Sequence, residues 1–260
     1  MKDPRTILIT GASSGIGAAL AETYAAEGMT LILTGRDLAR LDAVAARCRD
    51  DGAKVRLATV DVTERDFMAR WLAEVDAATP IDLAIANAGI SGGTNGAGGE
   101  TEDQARRIFA INLDGVLNTV HPLIEPMRRR GRGQLALMSS LASFRGFPGA
   151  PAYCASKAAV RSYGESLRGA LVGDGIEVSV ICPGFVRSRI TDANAFSMPL
   201  LMEADRAARL IRRRLATNRP RIAFPFPTYF MAWLVGALSP RLTDRLVNRL
   251  PKKPALDGDA

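Results

Sequence analysis

Tyr153 and Lys157 stand four residues apart in the stretch Tyr-Cys-Ala-Ser-Lys, and together they could move protons. Residues at this spacing on a helix lie on one face, about one turn apart. An isolated tyrosine has a pKa of about 10 and is a poor acid or base at neutral pH. A neighbouring cation favours the phenolate, so the pair could act as a proton donor and acceptor near pH 7. An ordinary helical turn is the alternative interpretation, because this spacing is common by chance.

A nucleotide-binding turn is predicted near the start of the chain. Residues 6–10 form a β-branched apolar run typical of a buried parallel strand. A G-x-x-x-G-x-G turn from Gly11 to Gly17 follows and leads into a helical pattern. Backbone amides in such a turn can hold a pyrophosphate, and the glycines permit its close approach. The G-K-[ST] of a P-loop is absent, which excludes that motif.

The end of the second predicted strand, residues 30–34, indicates which dinucleotide binds. An acidic residue there would bind the ribose hydroxyls of NAD, whereas a basic residue accommodates the 2′-phosphate of NADP. Gly35 stands at the acidic position and Arg36 follows it, so the sequence predicts NADP(H). A solvated loop arginine is the alternative. We interpret Asp37 as the cap of the next helix, over residues 38–49.

Five further strands are expected, and polar or glycine-rich residues follow most of them. The sequence predicts one α/β domain with a Rossmann-like, doubly wound parallel sheet of about seven strands and a C-terminal helical extension. The further strands are residues 54–60, 81–86, 134–138, 176–181 and 221–224. The segments that follow the first four are Asp61-Val62, Asn87-Ala88-Gly89, Ser139-Ser140 and Cys182-Pro183-Gly184.

A long helix over residues 102–127, capped by Thr101, contains a local irregularity. Asn112 and Gly115 lie inside it, and both residue types are unfavourable in a helix interior. A local rule broken in a regular element hints at a functional site, although a harmless kink is the alternative. The glycine-rich loop before this helix, residues 92–99, could serve as an entrance or be a tolerated insertion.

Taken together, these residues resemble the short-chain dehydrogenase/reductase family from about Thr6 to Ser188. The chain departs from the family pattern at Ala86, where the family usually has asparagine, and at Ser188, where it usually has threonine. The motifs that carry the resemblance are Thr10-Gly-x-x-x-Gly15-Ile-Gly17, Asp61-Val62, Asn87-Ala88-Gly89, Asn112, Ser140, Tyr153-x-x-x-Lys157 and Pro183-Gly184.

The resemblance implies an NADP(H)-dependent oxidoreductase that transfers a hydride between nicotinamide and a carbonyl or secondary alcohol. Tyr153 would exchange the proton, and Lys157 would lower its pKa and bind the nicotinamide ribose. Ser140, rather than the competing Ser139, would hydrogen-bond the carbonyl, and Asn112 would hold a water that links Lys157 to solvent. The implied cofactor-binding residues are Gly11, Ser13, Ser14, Gly15, Ile16, Gly17, Arg36, Asp61, Val62, Asn87, Ala88, Gly89, Tyr153, Lys157, Pro183, Gly184, Val186 and Ser188.

Residues 1–225 are predicted to form the catalytic domain, with a substrate lid at about 185–215. The run Met-Pro-Leu-Leu-Met at residues 198–202 suggests an apolar cover, with ordinary helix core as the alternative. If the run lines the site, the substrate is bulky and hydrophobic and could be a lipid-like molecule. A reductase of 3-oxoacyl thioesters is the closest alternative. A non-catalytic NADP-binding scaffold is a third, which the intact set of four catalytic residues disfavours.

Residues 226–260 are predicted to be a basic amphipathic extension of the same domain. The chain has a net charge of +7, and residues 205–253 carry twelve basic and two acidic side chains. The apolar run at 229–238 is too short to span a bilayer. A second helix over residues 241–250 would carry leucines on one stripe with arginines beside it, which fits an anionic membrane surface. Packing on the domain and a dimer interface are the alternatives. We expect a homodimer or homotetramer and no nucleic-acid partner.

The remaining composition favours a cytoplasmic protein, with a peripheral place on a membrane as an option. Residues 1–5 contain no apolar segment of a signal peptide. The three cysteines are scattered and are expected to be reduced. A single histidine, His121, makes a zinc site or a Ser-His-Asp triad very improbable, so no metal is predicted.

Overall fold

A seven-stranded parallel sheet organises the computed structural model, which describes residues 1–94, 99–192, 196–249, 253 and 255. The strands lie in the order β3-β2-β1-β4-β5-β6-β7, as the predicted doubly wound sheet requires. Their bounds are β1 Thr6–Ile9, β2 Thr30–Gly35, β3 Lys54–Thr59, β4 Leu83–Ala86, β5 Gly133–Met138, β6 Ile176–Pro183 and β7 Arg221–Phe224.

Helices connect the strands and cover both faces of the sheet. Alternate residues of β1 face opposite sides: Ile7 and Ile9 pack with α1 and α8, whereas Leu8 packs with α3 and α5. Burial on both faces explains why central strands such as β1 and β4 are almost entirely apolar, whereas the edge strand β3 carries exposed Lys54 and Arg56. The helices are α1 Gly15–Tyr24, α2 Leu38–Asp50, α3 Arg65–Ala78, α4 Glu102–Phe109, α5 Gly115–Arg130, α6 Pro151–Leu171, α7 Arg189–Asp192, α8 Ala204–Ala216, α9 Phe226–Ala237 and α10 Pro240–Val247.

The predicted long helix is interrupted where the sequence indicated. Thr101 accepts a hydrogen bond from the Gln104 amide and caps α4. A π-helical segment, Ala110–Asp114, then separates α4 from α5 and contains Asn112. Such wide turns are rare and often occur at functional sites.

The basic residues after position 205 do not all belong to one tail. This corrects the expectation of a basic tail over residues 205–253 beside a nearly neutral catalytic body. Helix α8 belongs to the body of the fold, because its buried residues pack against α1. Arg212 lies 5.3 Å from the ring centroid of Tyr24 and donates to the Thr23 carbonyl at 2.7 Å. The arginines that remain for the extension are those of α10 and the residues that follow it.

The C-terminal extension packs on the segment that follows β5. The ring of Tyr229 in α9 meets Phe144 edge to face, with centroids 5.4 Å apart. Arg145 donates to Asp244 of α10 at 2.7 Å. Within the described residues, no helix has both the length and the apolar character needed to cross a membrane.

Candidate active site

A cleft of about 1110 Å³ runs along the carboxyl edge of the sheet. Nearly all of the predicted site residues line it. Two do not line it: Gly17, the last glycine of the turn, is buried in α1, and Asn112 is fully buried. The predicted residues that line it are Gly11, Ser13, Ser14, Gly15, Ile16, Arg36, Asp61, Val62, Asn87, Ala88, Gly89, Ser140, Tyr153, Lys157, Pro183, Gly184, Val186 and Ser188.

The glycine turn between β1 and α1 is packed too tightly for side chains. Gly11 and Gly15 have φ values of +66° and +56°, which favour glycine. A Cβ added to Gly17 would lie 2.2 Å from the Gly11 carbonyl oxygen and 2.6 Å from Nδ2 of Asn87. The turn therefore presents bare backbone at a helix N-terminus, an arrangement that fits a pyrophosphate.

Asn87, at the end of β4, ties that strand to the glycine turn. Its Nδ2 donates to the carbonyl oxygens of Thr10 and Gly11 at 2.9 and 3.1 Å. The Thr10 hydroxyl in turn accepts from the backbone amides of Asn87 and Ala88 at 3.0 and 3.1 Å. The loop after β4 and the glycine turn after β1 therefore hold each other in place at the carboxyl ends of these two neighbouring strands.

A basic end of the cleft lies beyond β2. Arg36 is exposed there, and Asp37 caps α2 by accepting from the Arg40 amide at 3.0 Å, as predicted. Arg40 also lines the cleft, which the sequence reading did not predict, although its place in the first turn of the helix that Asp37 caps could have indicated it. Arg40 lies 2.8 Å from Asp37, whereas Arg36 makes no ion pair within the described part of the chain. Arg36 is therefore available to an anionic ligand.

Tyr153 and Lys157 lie on one face of α6; Lys157 is buried against the end of β5, and Tyr153 is partly exposed in the cleft. The Lys157 Nζ lies 5.9 Å from the Tyr153 ring centroid and donates to the Met138 carbonyl at 3.0 Å. Burial lowers the pKa of Lys157 to about 8, to which the charge of Lys253 contributes. Burial raises the pKa of Tyr153, while a hydrogen bond with Ser140 lowers it. The phenol is therefore protonated at neutral pH, which suits a proton donor, whereas the lowering of its pKa expected from Lys157 is not found, because burial dominates.

The structure separates the two candidate serines. Ser139 is buried, and its hydroxyl donates to the Lys157 carbonyl at 2.7 Å, so it anchors α6 to β5. Ser140 is partly exposed in the cleft, and its side chain hydrogen-bonds with Tyr153. Of the two, Ser140 has the geometry to reach a ligand beside the phenol.

Asn112 fixes the loop after β4 against Lys157. Its Oδ1 accepts from the Ile90 amide at 2.8 Å, and its Nδ2 donates to the Ile90 carbonyl at 2.9 Å. A Cβ on Gly89 would lie 3.0 Å from Oδ1 of Asn112 and 3.3 Å from Nζ of Lys157. A larger residue at position 89 would require these groups to move by a few tenths of an ångström. The expected water-holding role of Asn112 stays a prediction.

The other half of the cleft is mostly apolar. Phe185 and Phe196 fall within the lid predicted at about 185–215, whereas the rest of its lining comes from segments that local sequence patterns did not identify. No motif in the sequence indicated these residues, because they come together only through packing of distant elements. Of the predicted apolar cover, Pro199 lines the cleft, Met202 packs against the core and Leu200 is exposed. The additional lining residues include Leu141, Phe147, Phe185, Phe196, Thr228, Ala232, Val247 and Lys253.

Comparison with known proteins agrees with this geometry. Residues 5–197 match the family described as short chain dehydrogenase. The chain belongs to this family. An uncharacterized oxidoreductase from Myxococcus xanthus is 38% identical to this short-chain dehydrogenase over 247 residues, which cover 95% of this chain and 97% of the relative. One from Mycobacterium tuberculosis is 36% identical over 244 residues, covering 92% and 96%.

A solved structure is similar over almost the whole chain. The short-chain dehydrogenase from Sphingobium yanoikuyae in complex with NADPH superposes with a TM-score of 0.78 at 28% identity, covering 97% of this chain and 98% of that one. The similarity therefore extends past the family match into the C-terminal extension. The protein is an oxidoreductase with the Rossmann-like fold of its family.

Proposed function

We propose that this short-chain dehydrogenase is an NADP(H)-dependent oxidoreductase that reduces a carbonyl group of an apolar substrate, or oxidises the corresponding secondary alcohol. The observation that carries the proposal is the convergence of Tyr153, Ser140 and Lys157 between a basic, glycine-walled half of the cleft and an apolar half. In our proposal, residues 1–225 and the extension at 226–260 make one catalytic unit, because both line this cleft.

The glycine-walled half of the cleft fits a dinucleotide. The bare turn at Gly11–Gly17 would bind the pyrophosphate, Arg36 the 2′-phosphate and Lys157 the nicotinamide ribose. Bound NADPH supplies the hydride that reaches the carbonyl carbon. A relative that binds NADPH supports the assignment of NADP(H), and the unpaired Arg36 adds to that support.

The protein's own contribution is the proton and the position of the carbonyl. Ser140 would donate a hydrogen bond to the carbonyl oxygen and hold it beside Tyr153. The Tyr153 phenol would give its proton to that oxygen as charge develops on it. The Lys157 cation would stabilise the phenolate that remains. Asn112 would keep Lys157 in place and hold the water through which the proton is replaced.

Substitution of the proton donor tests the reaction. Tyr153→Phe removes the phenol and keeps the ring, so kcat/KM for NADPH-dependent reduction of hydrophobic ketones should fall by roughly 100- to 10,000-fold, with NADPH affinity nearly unchanged. Tyr163→Phe on the same helix, where the hydroxyl bonds with His121, serves as a matched control. Turnover that survives in Tyr153→Phe would contradict the mechanism. NADPH binding without turnover of any substrate in the unaltered protein would favour the scaffold alternative.

A reductase of 3-oxoacyl thioesters remains the second candidate. The same catalytic residues would serve it, and the apolar half of the cleft could accept an acyl chain. Comparison of a 3-oxoacyl thioester with a ketone of equal chain length distinguishes the two. A kcat/KM at least tenfold higher for the thioester would favour this candidate over the first.

We infer that the outer face of the C-terminal extension meets an anionic membrane surface. Phe226, Phe230 and Trp233 stack along the exposed side of α9. Helix α10 buries Thr243 and Val247 against the body, so its leucine stripe points outward beside exposed arginines. An apolar face flanked by arginines and interfacial aromatics suits binding to anionic lipid. The exposed residues that carry this inference are Leu242, Leu246, Arg241 and Arg245 of α10 and Arg249, which follows it.

Flotation with phosphatidylserine-containing liposomes tests this inference. The full chain should float with anionic but not with neutral vesicles, and Trp233→Ser with Leu242→Ser should abolish flotation while thermal stability is kept. A chain that does not float would contradict the membrane inference. If the same substitutions instead turn a homodimer or homotetramer into a monomer in size-exclusion chromatography, the face is a subunit interface.

A further inference from the structure

Lys253 follows α10 in the chain, and its side chain lines the cleft beside Tyr153, the proposed proton donor. Its Nζ lies 4.3 Å from the ring centroid of Tyr153 and donates to the Ser91 hydroxyl at 2.7 Å. The ammonium group therefore stands at the substrate side of Tyr153, while Lys157 contacts the same ring from 5.9 Å. Lys253 lies one hundred residues after Tyr153 in the sequence, and no motif connects them.

Lys253 is a cation without a matching anion in the described part of the chain. None of its contacts there is an ion pair with a carboxylate, and its one hydrogen bond goes to a neutral hydroxyl. Burial lowers the pKa of Lys253 to about 8, and the Cys154 thiol acts in the opposite direction. The Lys253 side chain is partly buried, and a cation withdrawn from water is costly unless an anion compensates it. The cation is therefore one that a bound anion would stabilise.

Gly93 leaves room for the backbone of Lys253, which packs directly against it. A Cβ on Gly93 would lie 2.4 Å from Cβ of Lys253 and 2.5 Å from its carbonyl oxygen. Phe147 and Val247 line the same cleft and add apolar surface to it. One cation in an apolar chamber suits a ligand that combines a single negative charge with a hydrophobic body.

We propose that Lys253 is a specificity-determining residue that binds a carboxylate of the substrate, so that the preferred substrates are hydrophobic oxo acids or the corresponding hydroxy acids. A carboxylate matches the single ammonium group and the Ser91 hydroxyl better than a phosphate would, because a doubly charged phosphate needs more donors. The ion pair would place the ketone of the same molecule beside Tyr153 and Ser140. This inference rests on the proposed carbonyl chemistry and refines its substrate class.

The test compares oxo acids with their methyl esters in the full chain. The acids share one hydrophobic body and differ in the position of the ketone. For at least one acid, kcat/KM should exceed that of its ester by about tenfold or more. In Lys253→Met this preference should disappear through a higher KM for the acid, and Lys253→Arg should keep part of it. Lys54→Met removes the same charge from the exposed edge strand β3 and should keep the preference.

A binding measurement separates this inference from the proposed function. Calorimetric titration of the NADPH-loaded protein with 4-phenylbutanoate, which has no ketone to reduce, should give heat of binding that Lys253→Met loses. Neutral ketones reduced without any preference for acids, and equal 4-phenylbutanoate binding by both proteins, would overturn the role of Lys253 alone. Failure to reduce acids, esters and ketones while 4-phenylbutanoate binds through Lys253 would instead overturn the proposed reaction and leave an anion site.

Discussion

The two halves of the cleft differ in how they are built. The cofactor half, which is the proposed dinucleotide-binding side of the cleft, consists of short segments at the ends of β1, β2 and β4. Each lies beside its strand in sequence and is held through hydrogen bonds to backbone atoms, such as the one that the Asn87 side chain donates to the Thr10 carbonyl. The substrate half combines the segment after β5, the chain beyond Ser188 and the extension, which meet through side chains. The half that is held through backbone atoms should tolerate few substitutions. The half that is held by side-chain packing can vary in sequence without loss of the fold.

The largest effect expected from this difference is at Gly17. Gly17→Ala forces a Cβ to 2.2 Å from the Gly11 carbonyl oxygen. The turn must shift, so NADPH affinity measured by fluorescence titration should fall by roughly 100-fold, from a strain of about 3 kcal/mol. Gly169→Ala on α6, where nothing lies within 4 Å of the added carbon, should leave affinity unchanged. Normal affinity in Gly17→Ala would remove the distinction between the two halves.

A smaller, selective effect is expected at the basic end of the cofactor half. Arg36→Ala should weaken NADPH binding by about 10- to 100-fold, because charge-assisted hydrogen bonds contribute about 1.5–3 kcal/mol, and should leave NADH binding nearly unchanged. Arg49→Ala, an exposed arginine on α2, is the matched control. Equal losses for the two cofactors would count against the assignment of NADP(H).

In the apolar half of the cleft, where we propose that the substrate binds, a change in side-chain volume should affect substrate turnover alone. Ala232→Leu adds bulk to a lining position of α9, so kcat/KM for a bulky ketone should fall about tenfold relative to a small one. NADPH affinity should not change. Ala237→Leu, exposed on the same helix, should have no effect on either ketone. A change in cofactor affinity with Ala232→Leu would mean that the halves are coupled.

The smallest effect is a shift in a pH profile. Lys157 keeps its proton below its pKa of about 8 and loses it as the pH rises. Reduction of a neutral ketone should therefore slow above about pH 8, because the cation that stabilises the phenolate is lost. The charge of Lys253 lowers the pKa of Lys157. Lys253→Met should consequently move the decline to higher pH, and a decline that stays in place would show that the two lysines act independently.

Sequence reasoning succeeded where local residue choice reflects local backbone geometry. The turn at Gly11–Gly17, the caps at Asp37 and Thr101, and the break at Asn112 all follow from residue types that a regular helix or strand disfavours. The sequence could not name Ile90 as the partner of Asn112, since that contact depends on how the π-helical segment packs against the loop after β4. The predicted domain, residues 1–225, already includes α8, although charge alone groups the arginines of that helix with the extension.

The amino-acid sequence by itself determined the sheet, its parallel connections and the set of polar residues at its carboxyl edge, because strand periodicity and turn chemistry are encoded within a few residues. Only the tertiary structure decided which side chains enclose the substrate, that the leucines of α10 face outward and that Lys253 reaches Tyr153. Those contacts join segments up to a hundred residues apart, and their energies come from packing and burial that no local pattern records.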